Sequence, residues 1–158
     1  DKKLRIEGFN PNLTYKFAAG SQILNHNEWY NISCVWNGQN FELYINGGID
    51  TINNSGETSI IYPEDVHSSH LNIGISTQYG QAFHGNIKQV QLWDIALSQE
   101  QIQSYMICSP SGEEQGLVGY WNFKEYQGDV VYDLSGNGNY GTINGATYSN
   151  DIPEDQCD

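Results

Sequence analysis

Between Trp29 and Gly48 the chain alternates apolar and polar side chains twice over, and each run ends in a turn signal. In the first run Tyr30, Ile32, Cys34 and Trp36 share one face, with Asn31 and Ser33 on the other. In the second, Phe41, Leu43 and Ile45 alternate with Glu42 and Asn46. Successive side chains on a strand point to opposite faces, so a period of two marks half-buried antiparallel strands. Asn37-Gly38 and Asn46-Gly47 supply residues that tolerate positive φ in tight turns. Residues 49–52 fold back after the second turn, and the stretch predicts a β-meander.

The flanking sequence extends this pattern. Leu4 and Ile6 alternate with Arg5 and Glu7, and Tyr15 and Phe17 with Thr14 and Lys16, which predicts a hairpin turning at 9–13. Residues 53–69 read as loop with a short strand at 59–62, after which Leu71, Ile73 and Ile75 restore alternation. Phe83, Gly85 and Ile87 share one phase and Val90 and Leu92 the other, so a β-bulge near Lys88-Gln89 would return both halves to the core. One helix is predicted near 98–107. Ser98 and Gln101 make a capping box, Leu97 staples onto Ile102, and Ile102, Tyr105 and Met106 share a face. Residues 117–123 are apolar on both faces and predict an interior strand; 130–132 give another, and a short pair turns at Asn144-Gly145. With roughly ten strands and one helix, the class is all-β.

A chain of 158 residues suits one domain with a real core. Only 16% of it is charged while 13% is aromatic, so its surface is dressed with neutral amides, hydroxyls and glycine. Neutral polar groups beside exposed rings suit sugar hydroxyls and sugar faces; the same residues also simply build the turns and strands of a β protein. The net charge of −13, from 6 basic and 19 acidic side chains, repels nucleic acid and anionic membranes and suits cations such as calcium. No run reaches membrane-spanning length, so no membrane insertion is expected. The chain begins at Asp1 without Met and reads as a piece of a longer one with flanking domains.

Of three cysteines, Cys108 and Cys157 flank the C-terminal segment and Cys34 lies on an apolar strand face. A Cys108–Cys157 disulfide is expected, leaving Cys34 a buried thiol. Closing a loop of about 50 residues stabilises the fold by ~4 kcal/mol in the chain-entropy picture. Such a bond places the chain in an oxidising compartment, extracellular or at the cell surface.

Trp29, then Cys34-Val35-Trp36-Asn37-Gly38, then Leu43-Tyr44-Ile45-Asn46-Gly47 resembles the central signature of laminin G-like and pentraxin-like domains of the concanavalin A-like lectin/glucanase group. Asn72-Ile73-Gly74 follows in the same order. Then comes Phe83-x-Gly85-x-Ile87-x-x-Val90-x-Leu92-Trp93-Asp94-x-x-Leu97-Ser98-x-x-x-Ile102, a strand, its exit Trp and the helix after it. Residues 116–123 and Asp133-x-Ser135-Gly136-Asn137-Gly138 are similar to a segment attached to such modules in bacterial surface proteins. The resemblance implies an antiparallel jelly-roll β-sandwich with a core over 1–108 and C-terminal strands over 109–158 completing it. Two departures stand out. Strands usual before the position of Asp1, with the pentraxin partner of Cys34, are not in the sequence, which implies N-terminal truncation or permutation. The loop after Ile73-Gly74, which supplies calcium ligands in pentraxins, has no carboxylate.

Two stretches are candidate sites. Gln78, Tyr79 and Gln81, with Phe83 and His84 beyond, occupy the loop that holds ligands in similar lectins; otherwise this is an ordinary hairpin loop. Asp133, Ser135, Asn137 and Asn139 set oxygens at every second position on a Gly-rich turn, as in the front half of a calcium loop, although no bidentate Glu follows. The alternative is an Asx-turn network joining two strands. The four tryptophans sit in strand patterns and read as core, and the acidic pair Glu113-Glu114 as a solvated connector. His67 and His70 near Glu64 and Asp65 lie on a loop without fixed geometry for a metal. Sequons begin at Asn12, Asn31 and Asn53.

No E-x-D-x-E strand of the laminarinase type is present, nor a Ser-His-Asp pattern or phosphate loop, so no catalytic residue is assigned. The expected function is a non-catalytic carbohydrate-binding or adhesion module of a secreted or cell-surface protein. Its partner would be a glycan or cell-surface ligand. The alternatives are a structural spacer or protein-interaction module and, less favoured, a glycoside hydrolase fragment.

Overall fold

Ile32–Trp36 (β3), Phe41–Ile45 (β4) and Gly48–Ile49 (β5) form an antiparallel sheet in that order, with Cys34 opposite Leu43 and Trp36 opposite Phe41. The computed structural model describes residues 3–9, 15–54, 71–76, 80–154 and 157. The turn expected after residue 9, the strand at 59–62 and the His67/His70 pair lie outside them. The chain divides into two compact units, Asp1–Ser68 with Ala96–Cys108 and Ser69–Ile95 with Ser109–Asp158. Residues 69–95, grouped with the first 108 on sequence, thus cluster with the C-terminal segment.

In the first unit Ile45 stands opposite Gly48, leaving Asn46 and Gly47 as a two-residue turn at φ 50° and 72°. Two positive φ values are what a type I′ turn requires. Asn46 also closes the open end of the β3–β4 hairpin. Its N–H donates to the Asn31 carbonyl at 2.8 Å, and its Oδ1 accepts the Asn31 N–H at 2.9 Å. The run after the turn divides between two sheets. Gly48–Ile49 stays with β4, while Thr51–Asn54 (β6) joins Lys3–Phe9 (β1) and Tyr15–Ile23 (β2) in the order β1-β2-β6. Asp50 holds the step between them. Its N–H donates to the Leu43 carbonyl at 2.8 Å, and its carboxylate accepts the Ser21 hydroxyl at 2.6 Å and the Gln22 N–H at 3.1 Å.

Ala18 of one sheet and Phe41 and Leu43 of the other form a core on which Leu4, Ile6 and Trp36 pack. The opposite face of β3 and β4 is buried as well, because Val35 and Tyr44 pack on Ile102 and Leu97. These strands therefore carry apolar side chains in both phases, one for the facing sheet and one for the helix. The helix spans Gln99–Ile107 (α1) with both arms of the Ser98/Gln101 capping box formed. It buries Ile102, while Tyr105 is half-buried and Met106 exposed, so the expected three-residue face narrows to one anchor. Gln99 and Gln103, one turn apart, both donate Nε2 to the Gly47 carbonyl, at 2.8 and 3.0 Å. Cys34 corrects the expectation of a buried thiol. It is exposed on β3, although desolvation around its sulfur pushes its pKa up to about 12 and keeps it protonated. Trp29, expected in the core, is 38% exposed.

In the second unit Ile75–Ser76 (β7) pairs with Gln81–Ala82 (β8), and Val90–Trp93 (β9) with Leu117–Trp121 (β10). The β9–β10 register slips between Leu117 and Gly119, so the irregularity sits at Val118 rather than at Lys88-Gln89. Val130–Val131 (β11) pairs with Gly141–Thr142 (β12), so the last strand returns onto β11 rather than turning at Asn144-Gly145. Leu117, Tyr120, Trp121 and Val131 are buried. The described elements are antiparallel strands and one short helix, an all-β sandwich architecture. Among the described residues no helix is long and apolar enough to cross a membrane.

Candidate functional site

The β7–β8 hairpin carries the first candidate. The Phe83 N–H donates to the Gly74 carbonyl at 2.7 Å, extending the pairing one residue beyond β8 and fixing where the next side chains leave the hairpin. Phe83 does not turn inward with Ile87, as its phase predicts. Its ring is 60% exposed, and Gln81 and His84, close to it in sequence, are exposed too. A Cβ on Gly85 would lie 2.9 Å from Cε1 and Cζ of this ring, so the ring rests against the Gly85 backbone. The far side of the loop is tied down by the Asn86 amide, which donates to the Asp151 carbonyl at 3.3 Å, and by Lys88 Nζ, which donates to the Pro153 carbonyl at 2.9 Å. The loop thus exposes an apolar ring together with an amide and an imidazole, groups that stack on and hydrogen-bond a polyol. Gln78 and Tyr79 lie outside the described residues.

The second candidate is brought together, but around a strand edge. Tyr120 of β10 donates its N–H to Asp133 Oδ1 at 3.0 Å and accepts the Leu134 N–H at 2.7 Å. Asp133 also takes the N–H of Ser135 at 2.9 Å and, on Oδ2, that of Asn139 at 2.9 Å. The Val118 carbonyl accepts the Ser135 hydroxyl at 3.0 Å, Asn137 Nδ2 at 3.1 Å and Asn139 Nδ2 at 2.9 Å. Asn137 Nδ2 also reaches the Leu117 carbonyl at 3.0 Å. Polar side chains at every second position thus pair with backbone groups of β10 as a further strand would. Trp121 Nε1 donates to the Asn139 carbonyl at 2.9 Å and fastens the other end of the turn.

Burial alone would raise the Asp133 pKa. Hydrogen bonds from the N–H groups of Tyr120, Ser135 and Asn139 outweigh it and bring it down to about 2. A calcium ion wants six to eight oxygens around it. Here the one carboxylate faces N–H donors, and both asparagines turn their NH₂ groups toward carbonyls, so the arrangement does not fit a cation. Among the described residues no three His, Cys, Asp or Glu side chains converge to hold a metal.

Two further findings complete the picture. Cys108 and Cys157 are disulfide-bonded. Glu114, read as a solvated connector, binds the N–H groups of Ser111 at 2.7 Å and Gly112 at 2.9 Å. Burial opposes its ionisation, but these bonds win and its pKa is lowered. Sequence reasoning set Phe83 beside the ligand loop but phased its ring inward, and it missed the tyrosines of the β11–β12 hairpin. The latter carry a readable signal: with Val131 and Asp133 facing inward, Tyr132 must face outward.

A family model of laminin G type, described as the concanavalin A-like lectin/glucanases superfamily, matches residues 1–103. No curated protein gives a significant match. Among solved structures, an S-layer domain-containing protein from Clostridium thermocellum is similar at 19% identity and a TM-score of 0.41, over 65% of this chain. The match covers 62% of that crystallised chain, which is residues 221–444 of its protein. On the family match, which covers well over half of its residues, the chain belongs to the concanavalin A-like lectin/glucanase superfamily as a laminin G-type domain.

Proposed function

We propose that this chain is a non-catalytic module of a secreted or cell-surface protein and binds a neutral glycan through the loop of Gln81, Phe83 and His84. The observation that carries the reading is the exposed Phe83 ring, backed by Gly85, on a loop that also exposes Gln81 and His84. Laminin G-type domains are generally binding modules, although their superfamily includes glycoside hydrolases, and no paired-carboxylate strand motif stands in the sequence. The disulfide supports an oxidising, extracellular setting. A net charge of −13 with few charged groups favours a neutral ligand over an anionic one. Screening the purified chain on a glycan array tests this. Binding to neutral polysaccharides that is lost in Phe83→Ala supports it; silence across the array would favour a spacer or protein-interaction module instead.

A further inference from the structure

The β11–β12 hairpin has an outer face that the loop reading does not use. Val130 stands opposite Thr142 and Val131 opposite Gly141, and the same register sets Tyr132 opposite Tyr140. Val131 points inward and is buried, so Val130, Tyr132, Tyr140 and Thr142 share the outer face. Tyr132 is 53% exposed, Tyr140 64% and Val130 46%. The two rings meet edge to face, with centroids 5.5 Å apart and planes at 78°. This corner is held rigidly from behind. The turn between the strands is locked to β10 by Asp133, and Glu125 Oε1 accepts the Tyr132 N–H at 2.9 Å. Among the described residues neither phenol hydroxyl has a hydrogen-bond partner.

We propose that this face is a second carbohydrate subsite, taking a neutral pyranose that stacks on one tyrosine ring and meets the hydroxyl-bearing edge of the other. Charge and size select this occupant. The four side chains are uncharged, and Asp133, the carboxylate within the hairpin, faces inward, so the face offers no charged group to pair with an ionic ligand. The chain's net charge of −13 works against nucleic acid, anionic polysaccharide and anionic lipid. The exposed parts of two tyrosines and a valine amount to roughly 300 Å². That is well short of the about 800 Å² per partner of a stable protein interface, and of the right size for one or two sugar rings. Tyrosines give this area at a low entropic cost because each has only two side-chain torsions to fix.

The subsite is independent of the Phe83 loop, although both concern neutral glycans. The test titrates laminarin, xylan, mannan and galactan oligosaccharides into the wild-type chain and into Tyr132→Ala, Tyr140→Ala, Tyr140→Phe and Phe83→Ala, by calorimetry. For the oligosaccharide that binds, each Tyr→Ala change should weaken the Kd at this subsite by about tenfold or more, while Tyr140→Phe, which keeps the ring, retains most of the affinity. The rings are exposed, so melting temperatures should stay near wild type and a binding loss is not a folding loss. Loss of all binding in Phe83→Ala, with both Tyr→Ala variants unchanged, would overturn the subsite and leave the loop reading standing. Loss in the tyrosine variants with Phe83→Ala unchanged would do the reverse. A wild-type chain that binds none of the panel would overturn both.

Discussion

Asp133 Oδ1 accepts the Tyr120 backbone N–H at 3.0 Å, in the position where the carbonyl of a neighbouring strand would stand. The Leu134 N–H then donates to the Tyr120 carbonyl at 2.7 Å, so both backbone groups of one strand residue are satisfied by a turn. Asp133→Ala would leave the N–H groups of Tyr120, Ser135 and Asn139 without their acceptor. The expected loss is about 3 kcal/mol, read from denaturant unfolding at neutral pH. Asp133→Asn should recover only part of it, because an amide NH₂ would then face an N–H.

The same carboxylate makes stability depend on pH. Its pKa falls from 3.8 to about 2 on folding, so the carboxylate contribution is complete above about pH 4 and is lost as pH falls through about 2. Allowing for solvent near the turn, this is worth on the order of 1–2 kcal/mol. Unfolding curves between pH 5 and 2 should show the slope in wild type and a reduced slope in Asp133→Asn. Equal slopes would remove Asp133 as the titrating group.

Calcium should do little to this turn, because its one carboxylate, Asp133, already serves three N–H donors. Chelator-treated protein is expected to keep its melting temperature when calcium is raised to millimolar levels. A rise of several degrees that disappears in Asp133→Asn would show that the turn reorganises around the ion.

Gly47 sits where helix and hairpin meet. It has φ 72°, and a Cβ there would come within 2.7 Å of Gln103 Cγ. Gly47→Ala should cost roughly 1–2 kcal/mol from backbone strain, with a further penalty from displacing Gln103. Gln103→Ala removes one of two hydrogen bonds to the Gly47 carbonyl and should cost about 0.5–1.5 kcal/mol. The double mutant should lose less than the two single losses added together, because without Gln103 Cγ the clash is gone.

Cys108→Ser and Cys157→Ser remove the same bond and should destabilise equally, by about 2–4 kcal/mol. Reduced wild type should match them. Thiol titration of the denatured, unreduced chain should find Cys34 alone, the free thiol.

The Phe83 loop separates binding from stability. Phe83→Ala removes an exposed ring and should leave the melting temperature within about one or two degrees of wild type while weakening glycan binding. Gly85→Ala pushes the ring from its support and should weaken binding in the same direction. A large stability loss in Phe83→Ala would show that the ring is core rather than surface.

What was legible in the sequence was chiefly local chemistry. The capping box of Ser98 and Gln101, the Asn46-Gly47 turn and the β3–β4 pairing all depend on residues a few positions apart, and each formed where its pattern lay. The spacing of Asp133, Ser135, Asn137 and Asn139 was equally visible, but alternate oxygens on a Gly-rich turn fit a cation or a strand edge alike. Only the position of β10, supplied by residues 117–121, decides between them. Val35 and Tyr44 were hidden for a related reason. Their phase is buried because α1, more than fifty residues later, covers it. The phase of Phe83 pointed inward, yet the strand begins only at Val90, so a period counted through residues 83–89 had no strand to act on.

The side-chain closure of β10 has one further consequence. An open strand margin is a template on which any extended chain can add itself, and crowded β proteins aggregate by that route. Here the carbonyls of Leu117 and Val118 and both backbone groups of Tyr120 are already occupied by the chain's own turn. Those four groups are closed to an added chain, so the turn blunts this stretch of the margin against edge-to-edge pairing.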